Sequence, residues 1–211
     1  MYDALNQDVL HAVPASARSV LDVGCGTGTL GSELRRTLGA SVTGVSGSPH
    51  EVARAAAVLD SALQANLDEW DGEGVAHPFD VIVCSHVLEH LREPKRLLQV
   101  LARRSQTRTL LLVALPNVLH WRQRVHFLRG RFRYAEGGIM DRTHLRFFDW
   151  SAAHELVGSA GWRVTRSWAT GHAPGVWRTP KVGPLLDRWC ARVAPGFFGD
   201  QFVLAAVPAA R

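Results

Sequence analysis

The chain has 211 residues, 46% apolar and 20% charged, with a net charge of +5 at neutral pH. That length and balance suit one globular domain with a substantial core, and they exclude a disordered chain. No apolar stretch reaches the ~18 residues needed to cross a bilayer, and the N-terminal MYDALNQDVLHAVP lacks the basic-then-apolar order of a secretory signal.

Residues 19–23 read as a first apolar strand that empties into a loop with glycines at 24, 26 and 28, and Thr29 to Leu38 forms the first helix. Glycine lets the backbone turn sharply and approach a ligand, while the N–H groups of the next helix point at it. Ser41 to Val45 is a second strand, and Ser48-Pro49 opens a helix through about Leu59, with serine as N-cap and proline in the first turn. Ala62 to Leu67 is strand three. Phe79 to Cys84 is a fourth, with the near-continuous apolar run of a buried parallel strand. A helix runs from Glu93-Pro94 to about Arg103, and Thr109 to Leu115 is strand five.

Residues 116–148 break this rhythm, with a helix from about His120 to Leu128 and then an Arg/Gly-rich loop. Ser151 to Ser159 is the next helix, ended by Gly161, and Trp162 to Trp168 is strand six. Residues 170–199 form a second excursion with a helix near Pro184 to Val193, and Gln201 to Val207 is the last strand. The alternation predicts an α/β fold around a parallel sheet, in one domain spanning 1–211 whose two excursions decorate one end.

Residues 92–146 hold twelve arginines and one lysine against three acids, a local net charge of +10 that leaves −5 for the remainder. Such asymmetry can focus an anionic acceptor; the plain alternative is a solvated basic face. Nucleic acid is disfavoured because no recognised binding motif accompanies the charge. Cys25, Cys84 and Cys190 have no metal-type spacing and fit reduced thiols in a cytoplasmic protein.

The loop's spacing narrows its ligand. A dinucleotide fingerprint, G-x-G-x-x-G, needs a glycine at 29, where this chain has Thr29. With Asp22 the pattern is instead D-x-G-x-G-x-G, which resembles the signature loop of the class I S-adenosylmethionine (SAM) methyltransferases. FDVIVCSHVLEHLREPKRLL (79–98) is similar to the fourth motif region of that family. LPNVLHWRQRVHFLRGRF (115–132) resembles the MetW type, and GIMDRTHLRFFDW (138–150) a bacterial group found beside glycosyltransferases. The resemblance implies a Rossmann-like, seven-stranded, mostly parallel sheet with helices on both faces and the last strand antiparallel. It implies SAM as cofactor.

Carried over by position, Gly24, Gly26 and Gly28, with Cys25 between them, wrap the methionine part of SAM, and Asp22 orients the loop or the cofactor's amino group. The family usually has an acid gripping the ribose at the end of strand two, where this chain has Ser46. Asn66 and Leu67, at the end of strand three, take the adenine position, and His86 lies near the sulfonium. The plainer alternative for Ser46 and Asn66 is loop capping, which their strand-end placement disfavours.

Methyl transfer is an in-line displacement that asks the protein to align the acceptor and exclude water. For a hydroxyl acceptor a histidine base suits neutral pH. His144 is the preferred base, because the segment around it should cover the cofactor; His120 is next. Either can instead tie the insertion to the core. Asn117, Trp121, Arg142 and Arg146 are candidate acceptor contacts, the arginines for an anionic group. Tyr2 could fold over the cofactor or fray. His86-Val-Leu-Glu-His90 matches the zinc pattern H-x-x-E-H, but it follows a strand end directly and has no third ligand, so no metal is expected.

These features point to O-methylation of a small acceptor: a sugar, a lipid-linked intermediate or a secondary metabolite. The alternative is a MetW-like partner subunit of a biosynthetic enzyme, and an NADP oxidoreductase is the distant third. A homodimer is compatible with either of the first two.

Overall fold

The most continuous apolar runs become the buried centre of a sheet: Val20 to Val23, Val81 to Cys84 and Leu111 to Leu115 have almost no exposed surface. The computed structural model describes residues 5–75, 78–174 and 183–210. Its strands are β1 (Ser19–Val23), β2 (Ser41–Ser46), β3 (Ser61–Gln64), β4 (Val81–Ser85), β5 (Leu110–Pro116), β6 (Trp162–Thr170) and β7 (Gln201–Pro208). They form one sheet in the order β3-β2-β1-β4-β5-β7-β6. The first five are mutually parallel, and β7 runs antiparallel to both β5 and β6. The expected Rossmann-like sheet, with its last strand reversed, is therefore present.

Alternate residues of each strand enter opposite cores, as the two-residue period of a strand requires. Leu21, Ile82, Val113 and Phe202 face one layer, and Val20, Val83, Leu112 and Val203 the other. The helices are α1 (Gln7–Ala12), α2 (Thr29–Leu38), α3 (Pro49–Ala55), α4 (Pro94–Arg104), α5 (Trp121–Leu128), α6 (Trp150–Ser159), α7 (Gly183–Val193) and the single turn α8 (Pro195–Phe198). Leu97, Leu98 and Leu101 of α4 and Val157 of α6 cover the first layer, and Val9 of α1 with Leu30 and Leu34 of α2 cover the second. The buried Trp162 indole N–H donates to the Leu98 carbonyl at 2.9 Å, pinning the edge strand to α4.

Several boundaries move for local reasons. Helix α3 ends at Ala55, not near Leu59, and the turn that follows sends Leu59 into the second core. Strand β3 stops at Gln64 because the Asn66 side chain accepts from the Asp68 N–H at 3.2 Å and starts a turn. Helix α1 was not expected; Asn6 caps it by accepting from the Val9 N–H. The loop after α5 is tied down by bridges pairing Asn117 with Phe148 and Ala135 with Asp141. Tyr2, and residues 175–182 of the second excursion, lie outside the described residues.

The chain passes from β1 outward to β2 and β3, then returns to β4 on the other side of β1. Neighbouring loops separate at such a reversal and leave a crevice at the carboxyl ends of the strands. That is where the functional residues gather.

Candidate active site

Immediately after β1 the chain turns through Gly24, Gly26 and Gly28 at φ of +78°, +54° and +88°. Only glycine adopts such angles without strain. A Cβ on Gly24 would also lie 2.5 Å from the Val87 side chain, so the loop and the end of β4 approach as closely as backbone allows. The N–H groups of Gly24 and Cys25 donate to the Val45 carbonyl, which holds the loop against β2. The loop borders a cavity of about 500 Å³ whose wall includes Asp22, Gly24, Cys25, Gly26, Ser46, Glu51, Asn66, Leu67 and His86. Gly28 stands behind this wall as the N-cap of α2, packed near Val58 and Leu59.

Asp22 is buried, and its Oδ2 has no hydrogen-bond partner among the described residues. Burial pushes its carboxyl up to about 7. An orphaned buried acceptor in a cavity wall is a place for a ligand's donor. Burial also pushes the Cys25 thiol up to about 12, with Asp22 and Glu51 adding to the effect, so Cys25 is a wall residue rather than a nucleophile.

A second cavity, of about 710 Å³, adjoins the first and shares Asn6 and His86 with it. Its wall includes Asp8, Glu89, Glu136, Asp141, His144 and Asp200. His86 sits at the junction with φ +53°, the one positive φ outside glycine among the described residues. Strain of this kind persists where surrounding contacts enforce it. Here those contacts are the ring's Nδ1 with Glu89 Oε1 at 3.2 Å and its Nε2 with Gln201 Oε1 at 2.9 Å. Burial opposes charge on this imidazole, but Glu89 and Gln201 outweigh it and hold its pKa above the ordinary value.

His144 is almost fully buried in the wall of the second cavity. Its Nδ1 lies 3.0 Å from the Ile139 carbonyl, which as acceptor fixes the proton on Nδ1 and leaves the Nε2 lone pair available. Nε2 is 4.0 Å from Oε1 of the fully buried Glu89, whose Oε2 has no partner among the described residues. Burial lowers the His144 pKa below its usual value, with Glu89 partly opposing. Glu89, His90 and His144 each bring one ligand atom within 4.8 Å of the others, a spacing compatible with a shared cation. The histidine joining Glu89 and His90 in this group is thus His144, from a distant segment, and not His86 of the H-x-x-E-H pattern.

A glycine-loop cavity beside a histidine-bearing one matches what a sequence comparison finds independently. A family model described as a methyltransferase domain matches residues 2–167. The chain belongs to this methyltransferase family. The cofactor of the family and fold is SAM. The fold is similar to that of a SAM-dependent methyltransferase from Archaeoglobus fulgidus, with a TM-score of 0.66 at 16% identity over 92% of this chain and 87% of that one. It is equally similar to a possible histamine N-methyltransferase from Thermotoga maritima, with a TM-score of 0.66 at 17% identity over 96% and 86%. In sequence, the chain is 45% identical over 86 residues to the mitochondrial ubiquinone biosynthesis O-methyltransferase of Schizosaccharomyces pombe, which is 38% of this chain and 31% of that protein. The match thus spans about a third of the length of these curated relatives.

Four residues expected at the methyltransferase's acceptor side stand elsewhere. Asn117 is buried with its amide committed: Nδ2 donates to the Gly196 and Gly199 carbonyls, and Oδ1 accepts from the Leu119 N–H. Trp121 lines a separate apolar groove, and its indole N–H donates to the His172 carbonyl. Arg142 pairs with Glu136 at 2.7 Å, while Arg146 donates to the Arg92 carbonyl and lies 3.8 Å from Glu93. None of the four lines either cavity. His120 is likewise outside both walls; its Nε2 lies 3.1 Å from Asp200, and burial lowers its pKa.

Glu51 is the residue that sequence reasoning missed. Ser48-x-x-Glu51 has the form of a capping box, and Ser48 does accept from the Glu51 N–H at 3.4 Å. The Glu51 carboxylate, however, turns away from the helix start and accepts from the Ser46 hydroxyl at 2.5 Å, while the Ser48 N–H donates to Ser46 Oγ. Ser46 therefore satisfies the cap in place of Glu51 and frees a carboxylate for the cavity wall. The signal was an acid at the third helical position, shortly after a strand-end serine. Its side-chain direction was not legible.

Proposed function

We propose that this chain transfers the methyl group of SAM to a hydroxyl of a small acceptor held in the second cavity. The observation that carries the reading is the junction of two cavities at His86, one bordered by the glycine loop and the other by His144. The residues present fit the cofactor. Gly24 and Gly26 admit a ligand against the backbone, Asp22 offers its orphaned carboxylate to an ammonium group, Ser46 and Glu51 offer acceptors to a diol, and Asn66 offers an amide near Leu67. Bound SAM supplies an electrophilic methyl on a sulfonium leaving group. His144 takes the acceptor's proton on Nε2, and Glu89 stabilises the imidazolium that results. His86 lines the junction through which the two cavities meet and helps exclude water.

The O-methyltransferase relatives in ubiquinone biosynthesis support a hydroxyl as the methylated group. The acceptor cavity bears Asp8, Glu89, Glu136, Asp141 and Asp200, and among the described residues no arginine or lysine lines it. Histidines are the sole basic side chains described in this wall, which favours an acceptor that is uncharged or cationic at that end. This departs from the expectation of an anionic acceptor. Residues 1–211 act as one methyltransferase domain, with the segments around 116–148 and 170–199 on the acceptor side.

Calorimetric titration with SAM tests the reading: micromolar to tens-of-micromolar binding is expected, and absence of binding at high micromolar SAM overturns it. Glu51→Gln should weaken SAM and S-adenosylhomocysteine alike by about tenfold, the value of one charge-assisted hydrogen bond. Unchanged affinity would remove Glu51 from the ribose site.

A further inference from the structure

No arginine of residues 92–146 lines either cavity, so the charge of this stretch needs another purpose. Of the eleven large apolar side chains exposed among the described residues, ten lie between positions 125 and 197. Leu128, at the end of α5, is 88% exposed, and Trp189 of α7 is 62% exposed. Helix α7 carries its apolar residues outward, with Leu185, Trp189 and Val193 at spacings of four and Arg188 and Arg192 between them. Arg129, Arg131 and Arg133 alternate with Phe132 and Tyr134 in the same way beyond α5.

The two elements are neighbours in the fold. The Arg124 guanidinium lies 5.5 Å over the Phe197 ring, linking α5 to α8, and α8 packs on α7. Acids on this face are turned aside: Asp187 accepts from the Ala173 N–H, and Glu136 is paired with Arg142. Exposed leucine and tryptophan rimmed by arginine match the interface of an anionic bilayer, where apolar tips enter the acyl boundary and guanidinium groups stay among headgroup phosphates.

We propose that this face docks the protein on an anionic membrane surface. Two other occupants fit less well. A two-fold dimer through the face would bring two copies of the same arginine-rich patch together with few free acids to offset them. Single-stranded nucleic acid stacks on free ring faces, but Phe132 is stacked by Phe127 at 5.5 Å and met edge-on by Tyr134. The loop bearing Phe132 and Tyr134 continues directly into Glu136 to Ile139 of the acceptor cavity, so docking would turn that cavity toward the bilayer. Membrane binding itself does not require methyl transfer; that the acceptor is membrane-held rests on the function proposed above.

The test is co-sedimentation of the full chain with vesicles of phosphatidylcholine alone, or of equal parts phosphatidylcholine and phosphatidylglycerol. Binding to the anionic vesicles and not to the neutral ones is expected. Arg131→Ala with Arg133→Ala should reduce it about twentyfold, near fivefold per charge. Leu128→Ala with Trp189→Ala should reduce it at least tenfold at unchanged charge. All four positions lie outside the cavities, so SAM calorimetry on the same variants reports folding and the cofactor reading separately. Failure to bind anionic vesicles overturns the proposal. So does binding indifferent to the Leu128 and Trp189 changes together with equal affinity for an oligonucleotide, or a dimer in solution that those changes dissociate.

Discussion

His144→Ala is expected to lower methyl-transfer turnover by about a hundredfold while leaving SAM affinity nearly unchanged. The magnitude is that of a positioned general base acting on an acceptor hydroxyl. The split follows from placement, since His144 lines the acceptor cavity and is absent from the wall around the glycine loop. The pH profile adds a second readout. Burial lowers the His144 pKa, so the free base prevails at neutral pH and the rate should rise through a value below 6.5 and then level. The alanine variant should lose that acidic limb. Unaltered turnover, or an acidic limb that persists in the variant, would reject His144 as base. A parallel fall in SAM affinity would mean that the substitution had disturbed the fold around Glu89.

Asp22→Asn is expected to stabilise the ligand-free protein at pH 7 and to weaken SAM binding by about thirty- to a hundredfold. The first effect follows from proton linkage. The unfolded Asp22 releases its proton near 3.8, whereas the buried carboxyl holds it to about 7. Between those values the folded state binds the extra proton, so stability falls as pH rises, by on the order of 4 kcal/mol across the interval. Asparagine carries no charge to desolvate and should recover about 1–3 kcal/mol at pH 7, several degrees in Tm for a chain of this size. Its advantage should shrink as the pH drops toward 4. The second effect is the loss of about 2–3 kcal/mol for a charge-assisted hydrogen bond. Thermal unfolding at pH 5 and 7 without SAM, with calorimetry beside it, separates the two. An Asp22→Asn variant that is less stable at pH 7 yet binds SAM normally would show that Asp22 serves the fold and not the ligand.

Trading stability for a binding group explains several local irregularities. The strained His86, the orphaned oxygens of Asp22 and Glu89, and the diverted capping acid Glu51 all cluster at the carboxyl ends of β1, β2 and β4. A chain selected for stability alone would replace most of them.

Local chemistry made much of this protein legible from its residues. Strand β1, helix α2 and the loop between them follow from apolar runs and glycine spacing, which act over a few residues. That Asp22 and the loop stand together in one cavity wall follows for the same reason, because a strand end, a turn and a helix start fix their own geometry. Asn117 and Trp121 were misplaced because nothing local says whether a polar side chain turns into a cavity or onto a neighbouring carbonyl. For Asn117 the carbonyls of Gly196 and Gly199, some eighty residues away, decide it.

The order of elements, the sheet they build and the position of the glycine loop follow from the residues alone. That Glu89 stands beside His144, that Asn117 turns onto the Gly196 and Gly199 carbonyls, and that Leu128 and Trp189 stay exposed came from the packing of distant segments. Backbone conformation is set by neighbours along the chain, whereas side-chain partners are set by burial and hydrogen bonding among segments distant in sequence.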